Sequence, residues 1–257
     1  MKPLNKMMKL IPPFGVMRKY YDRMYDFQFN KEMNKQAERL KEIKDIHTGK
    51  TCFVIGNGPS IKHTQLNLMR GHYCFGVNRF FEHSFSKHCQ FWAVQDSRVF
   101  NDYHKEILGL DKVVFLGGSR LVDWCKRPEY YWEYVENDVY IPKRLGSMVF
   151  NKKMSTDASN GIYLGEGVPF LCIQMAYHMG FQKVYVVGMD CDHSGKRHFY
   201  KPDEREKKLE KKNKWDDVFS CYNTCSKVFQ QNGRTLANAG VGGKLDVIPR
   251  VRLEEVV

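Results

Sequence analysis

The fold is decided by residues 51–60, TCFVIGNGPS, where an apolar run, Thr51–Ile55, ends at a glycine-rich loop, Gly56–Ser60. A short run that is apolar on both faces is typical of a strand buried inside a parallel sheet. The glycines allow a tight turn and close approach of the backbone to a ligand, and Ser60 suits a helix start. The stretch therefore predicts a strand, a tight loop and the beginning of a helix.

Four similar apolar runs follow along the chain: His72–Val77, Phe91–Gln95, Lys112–Leu116 and Lys183–Val187. Polar or amphipathic segments of helix length separate them, and the clearest of these is Val168–Gly180. This alternation predicts an α/β fold with a Rossmann-like, open, mostly parallel sheet and helices on both faces. Ligands of such sheets bind at the carboxyl ends of the strands.

Residues 1–48 have a different character, being rich in Lys, Met and Tyr. We interpret residues 1–48 as a basic helical N-terminal extension and residues 49–257 as an α/β nucleotide-binding catalytic domain. Met17–Ile46 is predicted to form one or two amphipathic helices. These helices either pack on the main domain or offer a basic, aromatic surface to an anionic membrane, and disorder is the third alternative.

The composition points to an anionic partner. The 257 residues include 41 Lys and Arg against 29 Asp and Glu, a formal net charge of +12. This charge suits a nucleotide, a phosphorylated carrier, nucleic acid or an anionic membrane. Nucleic acid is disfavoured, because the basic residues are dispersed among acids and no RNP-like or helix-turn-helix pattern occurs.

The location of the protein is also predicted from the sequence. No apolar run approaches the roughly 18 residues that a membrane-spanning helix needs, and no secretory signal is evident. The eight cysteines are scattered without CxxC spacing, which is typical of reduced thiols. We expect a cytoplasmic protein, with peripheral contact to the inner face of the membrane as the alternative.

The loop after the first run is the first candidate site. Gly56, Asn57, Gly58 and Ser60 combine a close-approaching backbone with amide and hydroxyl groups that can bind a phosphate. The loop is neither a Walker A sequence nor GxGxxG. A purely structural strand-to-helix turn is the alternative interpretation.

Polar side chains follow the next two runs. Asn78 comes after the second run, and Gln95 and Asp96 end the third. Amide side chains at strand ends suit the edge of a pyrimidine or sugar, although each residue alone more often caps a helix or fixes a turn. Their position on one rim of one sheet predicts a binding site.

The run Lys183–Val187 ends at Gly188-Met189-Asp190-Cys191-Asp192-His193. The Asp-Cys-Asp spacing is one that metal-dependent sugar-nucleotide transferases use to hold Mg²⁺ or Mn²⁺, so Asp190 and Asp192 are candidate metal ligands. His193 and His198 follow these acids closely and are candidate general bases.

Taken in order, these motifs resemble a known family. Residues 48–257 resemble the DUF115 (MptE-like) superfamily, which includes archaeal 6-hydroxymethylpterin diphosphokinases and motility-associated flagellin glycosyltransferases. The segments that carry the resemblance are Gly56–Ser60, Phe75–Asn78, Gly165–Asp190, His198–Tyr200, Asn238-Ala239 and Gly243–Val251. The chain is also similar to the bacterial family 42 sialyltransferases, which share an Asn-Gly-Pro-Ser loop and use CMP-activated nine-carbon sugars.

The resemblance implies roles for individual residues. Asn57 and Ser60 would contact the nucleotide phosphate and ribose, and Asn78 the cytidine or ribose. His193 and His198 are the closest candidates for the catalytic histidine of the sialyltransferases, and His198 is preferred over His193 as the base. The complete set of nucleotide contacts expected here is Gly56, Asn57, Gly58, Ser60, Asn78, Asp96, Gly167, Gly188, Asp190 and Tyr200.

The sequence departs from the sialyltransferases at several of these positions. Asp96 stands where they have an amide residue, and Glu166-Gly167 where they have Ser-Gly. Asp192 and His198 stand where they have two phosphate-binding tyrosines, a role that Tyr200 or Tyr222 could fill.

The leading hypothesis is a glycosyltransferase that moves a sialic-acid-like sugar from a CMP-activated donor onto a surface glycan acceptor. It requires no cofactor, because CMP carries one phosphate and needs no bridging ion. One alternative is a Mg²⁺-dependent 6-hydroxymethylpterin diphosphokinase using ATP, in which Asp190 and Asp192 would hold the metal. The other alternative is a non-enzymatic basic binding module.

Overall fold

The computed structural model of the protein describes residues 29–117, 138–192, 197–201 and 215–257. Seven strands of the described chain form one sheet, and two short strands pair separately. In chain order the strands are β1 (Thr51–Ile55), β2 (Tyr73–Val77), β3 (Phe91–Val94), β4 (Val113–Leu116), β5 (Val139–Tyr140), β6 (Arg144–Ser147), β7 (Ile162–Leu164), β8 (Lys183–Val187) and β9 (Thr235–Asn238).

The helices of the described chain connect or flank these strands. They are α1 (29–42), α2 (Ser97–Leu108), α3 (Met148–Asn151), α4 (Pro169–His178) and α5 (Trp215–Gln231). Short 3-10 turns make the connections after β1 and β2. Among the residues that the structure describes, no helix is long and apolar enough to cross a bilayer.

The large sheet has the order β5-β4-β3-β2-β1-β8-β9, and every pair in it is parallel. The prediction of an open parallel α/β sheet is therefore confirmed. From β1 the chain builds outward to β5, then returns to place β8 on the opposite side of β1. The strand order thus reverses between β1 and β8, and ligands of doubly wound sheets bind at the carboxyl ends of the strands at such a point.

The sheet is buried on both faces, as the apolar runs predicted. In β1, Cys52 and Val54 join a core layer with α4 and α5, whereas Phe53 and Ile55 join the layer under the 3-10 turns and α2. The helix α4 is buried along its length from Phe170 to His178, because it packs against both the sheet and α5. A helix that is covered on every side needs a sequence without a polar face, and the sequence of α4 meets this requirement.

The described part of the N-terminal extension packs on this domain. In α1, Gln36 accepts a hydrogen bond from the Ile141 amide (3.0 Å), and Arg39 donates to the Val139 carbonyl (2.8 Å). His178 Nε2 lies 2.7 Å from the Leu40 carbonyl, and Leu40 itself is buried. Packing on the main domain is thus the interpretation that holds for residues 29–42. Residues 1–28, and with them the membrane-facing alternative, lie outside the described residues, and the boundary at residue 48 stays a prediction.

His178 makes the stability of this contact pH-dependent. The Ala158 amide donates to Nδ1 (3.1 Å), so the ring is neutral with its proton on Nε2. Burial lowers the pKa of His178 below its ordinary value, against the opposing effects of the Leu40 carbonyl and Asp157. A depressed histidine pKa gives stability that is complete above the unfolded pKa of about 6.5 and is lost as pH falls toward the folded pKa, since only the unfolded chain binds the proton.

We therefore expect the unfolding free energy to fall between pH 7 and pH 5, with a shallower slope in His178→Gln than in the unaltered protein. Urea titrations at each pH measure the slope. His63→Gln, at an exposed histidine, is the matched control. Burial also lowers the pKa of His47, His83 and His88, and these residues contribute equally to all three proteins. Identical slopes in His178→Gln and the unaltered protein would show that His178 does not carry the effect.

Candidate functional site

Two loops interlock at the point where the strand order reverses. The amide of Gly56 donates to the Val187 carbonyl (2.8 Å), and that of Gly58 donates to the Gly188 carbonyl (2.9 Å). A Cβ on Gly58 would lie 2.6 Å from the Asp190 carboxylate and 2.7 Å from the Gly188 carbonyl. Gly188 has a φ of +66°, and a Cβ there would lie 2.5 Å from Ile61. The loop after β1 and the loop after β8 therefore pack backbone to backbone, which only glycine permits.

Asp190 and Ser60 join the two loops. The Ser60 amide donates to Asp190 Oδ2 (2.9 Å), and the Ser60 hydroxyl donates to Asp190 Oδ1. The Asp190 carboxylate thus accepts hydrogen bonds from the Ser60 amide and hydroxyl, the two groups that were predicted to contact a phosphate. An incoming phosphate would compete with Asp190 for these donors, because both are anionic oxygen acceptors.

Asp192 has a different partner. The ammonium of Lys244 lies 3.2 Å from Asp192 Oδ1, and the Lys244 amide donates to the Asp190 carbonyl (2.7 Å). Between the two acids, Cys191 has a φ of +48°, a left-handed conformation that is uncommon outside glycine. Each acid therefore has its own partner within the protein. Among the described residues, no group of three or more His, Cys, Asp or Glu could hold a metal ion.

Three amide side chains lie at the ends of three adjacent strands. Asn57 follows β1, Asn78 follows β2 and Gln95 follows β3. The side-chain oxygens of all three are buried and have no hydrogen-bond partner among the residues that the structure describes. Their neighbours hold two of them in place: Asn57 Nδ2 donates to the Val77 carbonyl (3.2 Å), and Gln95 Nε2 to the Gly165 carbonyl (3.3 Å).

These three oxygens form an acceptor row on the rim of the sheet. A buried polar group without a partner costs roughly 1–3 kcal/mol, so native proteins seldom retain one without a reason. The backbone of Asn78 adds to this cost, since its φ is +46°. The Trp92 indole fixes that residue by donating to the Asn78 carbonyl (3.1 Å). A ligand that reached this row with N–H or O–H groups would supply the missing hydrogen-bond partners.

Asp96, which the sequence also placed at this rim, is engaged with its own helix. Its carboxylate caps α2, accepting from the Arg98 amide (2.9 Å) and from Arg98 Nε (2.9 Å). Burial acts to raise the pKa of Asp96, but the hydrogen bonds from Arg98 outweigh it and hold the pKa below its ordinary value. Gln95, its neighbour, offers the unpartnered oxygen. The Gln95 amide was visible at the end of the third apolar run, but only burial distinguishes it from a turn residue.

The segment 197–201 lies against the same rim. The Phe199 amide donates to the Asn57 carbonyl (2.9 Å), and the Phe199 ring packs edge-on against His83, with ring centres 5.5 Å apart. His198 stacks on Tyr200, with ring centres 4.9 Å apart and planes within 5°. The structure thus brings His198 and Tyr200 to the loop Gly56–Ser60. His193 lies outside the described residues.

Arg79 was not predicted from the sequence, and it holds this segment. Its side chain is only 9% exposed and forms an ion pair with Glu82, with Nε 2.6 Å from the carboxylate. The guanidinium lies over two rings, 4.3 Å from the centre of Tyr200 and 5.0 Å from that of Tyr103. Such cation–π contacts contribute about 0.5–2 kcal/mol each. Arg79 therefore orients Tyr200, and through it the ring of His198.

Two other predicted residues lie away from the loop Gly56–Ser60. Gly167 belongs to the loop between β7 and α4, the loop whose Gly165 carbonyl accepts from Gln95. Tyr222 of α5 is buried in the core against Phe170, with ring centres 4.7 Å apart. Burial raises its pKa well above the ordinary value. Of the two candidate tyrosines, only Tyr200 belongs to the segment at the loop Gly56–Ser60.

Two sialyltransferases share this fold. One is CstII from Campylobacter jejuni, solved in complex with a substrate analogue, cytidine-5'-monophosphate; it has a TM-score of 0.53 and 15% sequence identity, over 79% of this chain and 85% of that one. The other is the monofunctional α-2,3-sialyltransferase Cst-I from the same organism, with a TM-score of 0.51 and 14% identity, over 74% of this chain and 75% of that one.

No family model matches the chain, and no curated protein matches it in sequence. The two solved structures confirm, at the level of the fold, the resemblance to sialyltransferases that the motifs indicated. Membership of the DUF115 superfamily stays a prediction.

Proposed function

We propose that this protein is a glycosyltransferase that moves a sialic-acid-like sugar from a CMP-activated donor to a hydroxyl of a glycan acceptor. The observation that carries the proposal is the row of unpartnered amide oxygens on Asn57, Asn78 and Gln95. A cytidine monophosphate presents an exocyclic amine and ribose hydroxyls, the hydrogen-bond donors that such a row needs. The fold shared with an enzyme solved with CMP supports this choice of nucleotide.

The donor phosphate would bind beside this row at the loop Gly56–Ser60. For the phosphate to reach the Ser60 donors, the Asp190 carboxylate would have to yield them. Lys244 forms an ion pair with Asp192, which follows β8, and its positive charge would stabilise the nucleotide as it leaves. Gly188 and Gly58 keep the backbone free of side chains at this point.

His198 would act as the general base on the acceptor hydroxyl. A free imidazole titrates at about pH 6.5 and can accept a proton near neutral pH. Stacking on Tyr200, which Arg79 orients, limits the rotation of the ring. His193 is the second candidate for this role.

The remaining partners follow from the same proposal. The acceptor would be a surface glycan, and the scattered cysteines favour a cytoplasmic enzyme. The basic residues of the N-terminal extension would make peripheral contact with an anionic membrane surface.

The test of the proposed function is a binding series with CMP, UDP, GDP and ATP, each with Mg²⁺ and with EDTA. We expect CMP to bind with the highest affinity and EDTA to leave that affinity unchanged. The physical reason is that CMP carries a single phosphate and therefore has no diphosphate for a metal ion to bridge. Thermal shift measures the effect, because a ligand at 100 times its Kd stabilises by about 2.7 kcal/mol.

The same series separates the alternatives. Strict Mg²⁺ dependence with preference for ATP would replace the proposal with a diphosphokinase. Absence of binding to every nucleotide, in protein with a cooperative unfolding transition, would indicate a binding module.

A further inference from the structure

A second groove lies beside the candidate site, between the connections that follow β1 and β2. Its volume is about 230 Å³. One wall is the segment Ile61–Arg70, and the other is the turn Ser84–His88 with His83. None of the predicted donor contacts lines this groove, although Ile61 directly follows Ser60.

The groove is positively charged. Lys62, Arg70 and Lys87 line it, and among the described residues that form its walls there is no carboxylate. Lys112 adds a fourth cation, since its ammonium lies 3.3 Å from the Lys87 carbonyl. Like charges gathered around one cavity repel each other, and an anion bound among them would relieve that repulsion.

His88 supplies a second, independent observation. Its Nε2 is buried and has no hydrogen-bond partner within the described part of the chain, while the residue lines the groove. Burial and the charges of Arg70, Lys87 and Lys112 lower the pKa of His88. A buried ring nitrogen without a partner is costly unless a ligand or water satisfies it.

We propose that this groove binds a phosphate-class anion, held by Lys62, Arg70 and Lys87 with His88 at its wall. Gln65, Asn67 and Ser84 offer neutral donors for the remaining oxygens. The volume suits a phosphate with a small attached group and is below that of a typical nucleotide-sized pocket. The proposal does not depend on the donor nucleotide, because the residues involved are separate from the donor contacts.

The test follows the His88 imidazole by NMR during titration with inorganic phosphate, with sodium chloride at equal ionic strength as the reference. We expect phosphate to raise the titration midpoint of His88 saturably, because a nearby anion favours the imidazolium. His88→Gln assigns the signal. The double variant Arg70→Gln/Lys87→Gln is expected to lose the phosphate response while retaining CMP binding. Lys41→Gln, at an exposed lysine of α1, is the matched control and is expected to retain it.

An equal response to chloride would reduce the effect to screening and overturn the proposal. So would the absence of any saturable response in the unaltered protein, a result that needs no variant to fold. Two further titrations distinguish a small soluble ligand from a lipid headgroup as the source of the anion. One uses soluble glycerol phosphate, and the other uses phosphatidylcholine vesicles that contain phosphatidylglycerol. A response to the soluble ester that the double variant loses supports a small ligand. A response to the vesicles alone, lost in the same variant, supports a lipid headgroup.

Discussion

Replacing His198 by alanine is expected to lower kcat for sugar transfer by about 10²–10⁴-fold, equivalent to roughly 3–5 kcal/mol of barrier. The physical reason is the loss of the group that accepts the proton of the acceptor hydroxyl. Affinity for CMP is expected to stay nearly constant, because the contacts at the strand ends are untouched. Steady-state kinetics with a CMP-sugar donor, together with a CMP titration, measures both quantities.

The control for this variant is His63→Gln, at an exposed histidine outside the segment 197–201, and we expect full activity from it. Added imidazole is expected to restore part of the activity of His198→Ala but none to a variant that is merely misfolded. A larger loss in His193→Ala, with His198→Ala close to normal, would transfer the role of base to His193. If neither His198→Ala nor His193→Ala lowers kcat, a residue other than these two histidines is the general base.

Replacing Asn78 by glycine is expected to weaken CMP binding by about 10–100-fold, because one buried hydrogen bond of roughly 1–3 kcal/mol is removed. Glycine is the sharper substitution here, since Asn78 has a φ of +46° that alanine would adopt only with strain. The free protein is expected to keep its stability within about 1 kcal/mol, because an unpartnered oxygen disappears with the side chain. Calorimetric titration and urea unfolding measure the two effects.

The matched control is Asp111→Gly, which replaces another non-glycine residue of positive φ, 55°, at an exposed turn before β4. It is expected to bind CMP normally. Equal loss of affinity in both variants would assign the effect to backbone flexibility. Unchanged affinity in Asn78→Gly would remove the acceptor row from the nucleotide site.

The strands that the sequence failed to predict are short or lie at an edge. β5 has two residues and β7 has three, too few to form a pattern, and each is extended only because a longer neighbour supplies its hydrogen bonds. β9 lies at the edge of the sheet, and its residues Thr235–Asn238 lack the continuous apolar run of the central strands. Pairing partners far away in the chain decided these elements.

The site shows the same division between neighbouring and distant residues. The spacing of Asp190 and Asp192 indicated a metal pair, which stays a prediction. The structure adds that Asp190 accepts a hydrogen bond from Ser60, which lies 130 residues away in the chain. Asp96, by contrast, caps its own helix through the amide of Arg98, two residues along the chain, and its contact with a nucleotide stays a prediction. The partner of Asp190 is distant in the chain and is absent from its local motif, whereas the partner of Asp96 lies next to it in the sequence.

The sequence by itself determined the central strands, the parallel sheet and the glycine-rich loop, because each depends on the side chains of consecutive residues. Apolar runs need burial on both faces, and glycines permit the turn that follows. Only the tertiary structure decided which polar atoms would lack a partner. Burial of the amide oxygens of Asn57, Asn78 and Gln95 requires three strands to lie side by side, and the electrostatics of the basic groove requires two separate connections to meet. Both are properties of packing between distant segments, which no local pattern contains.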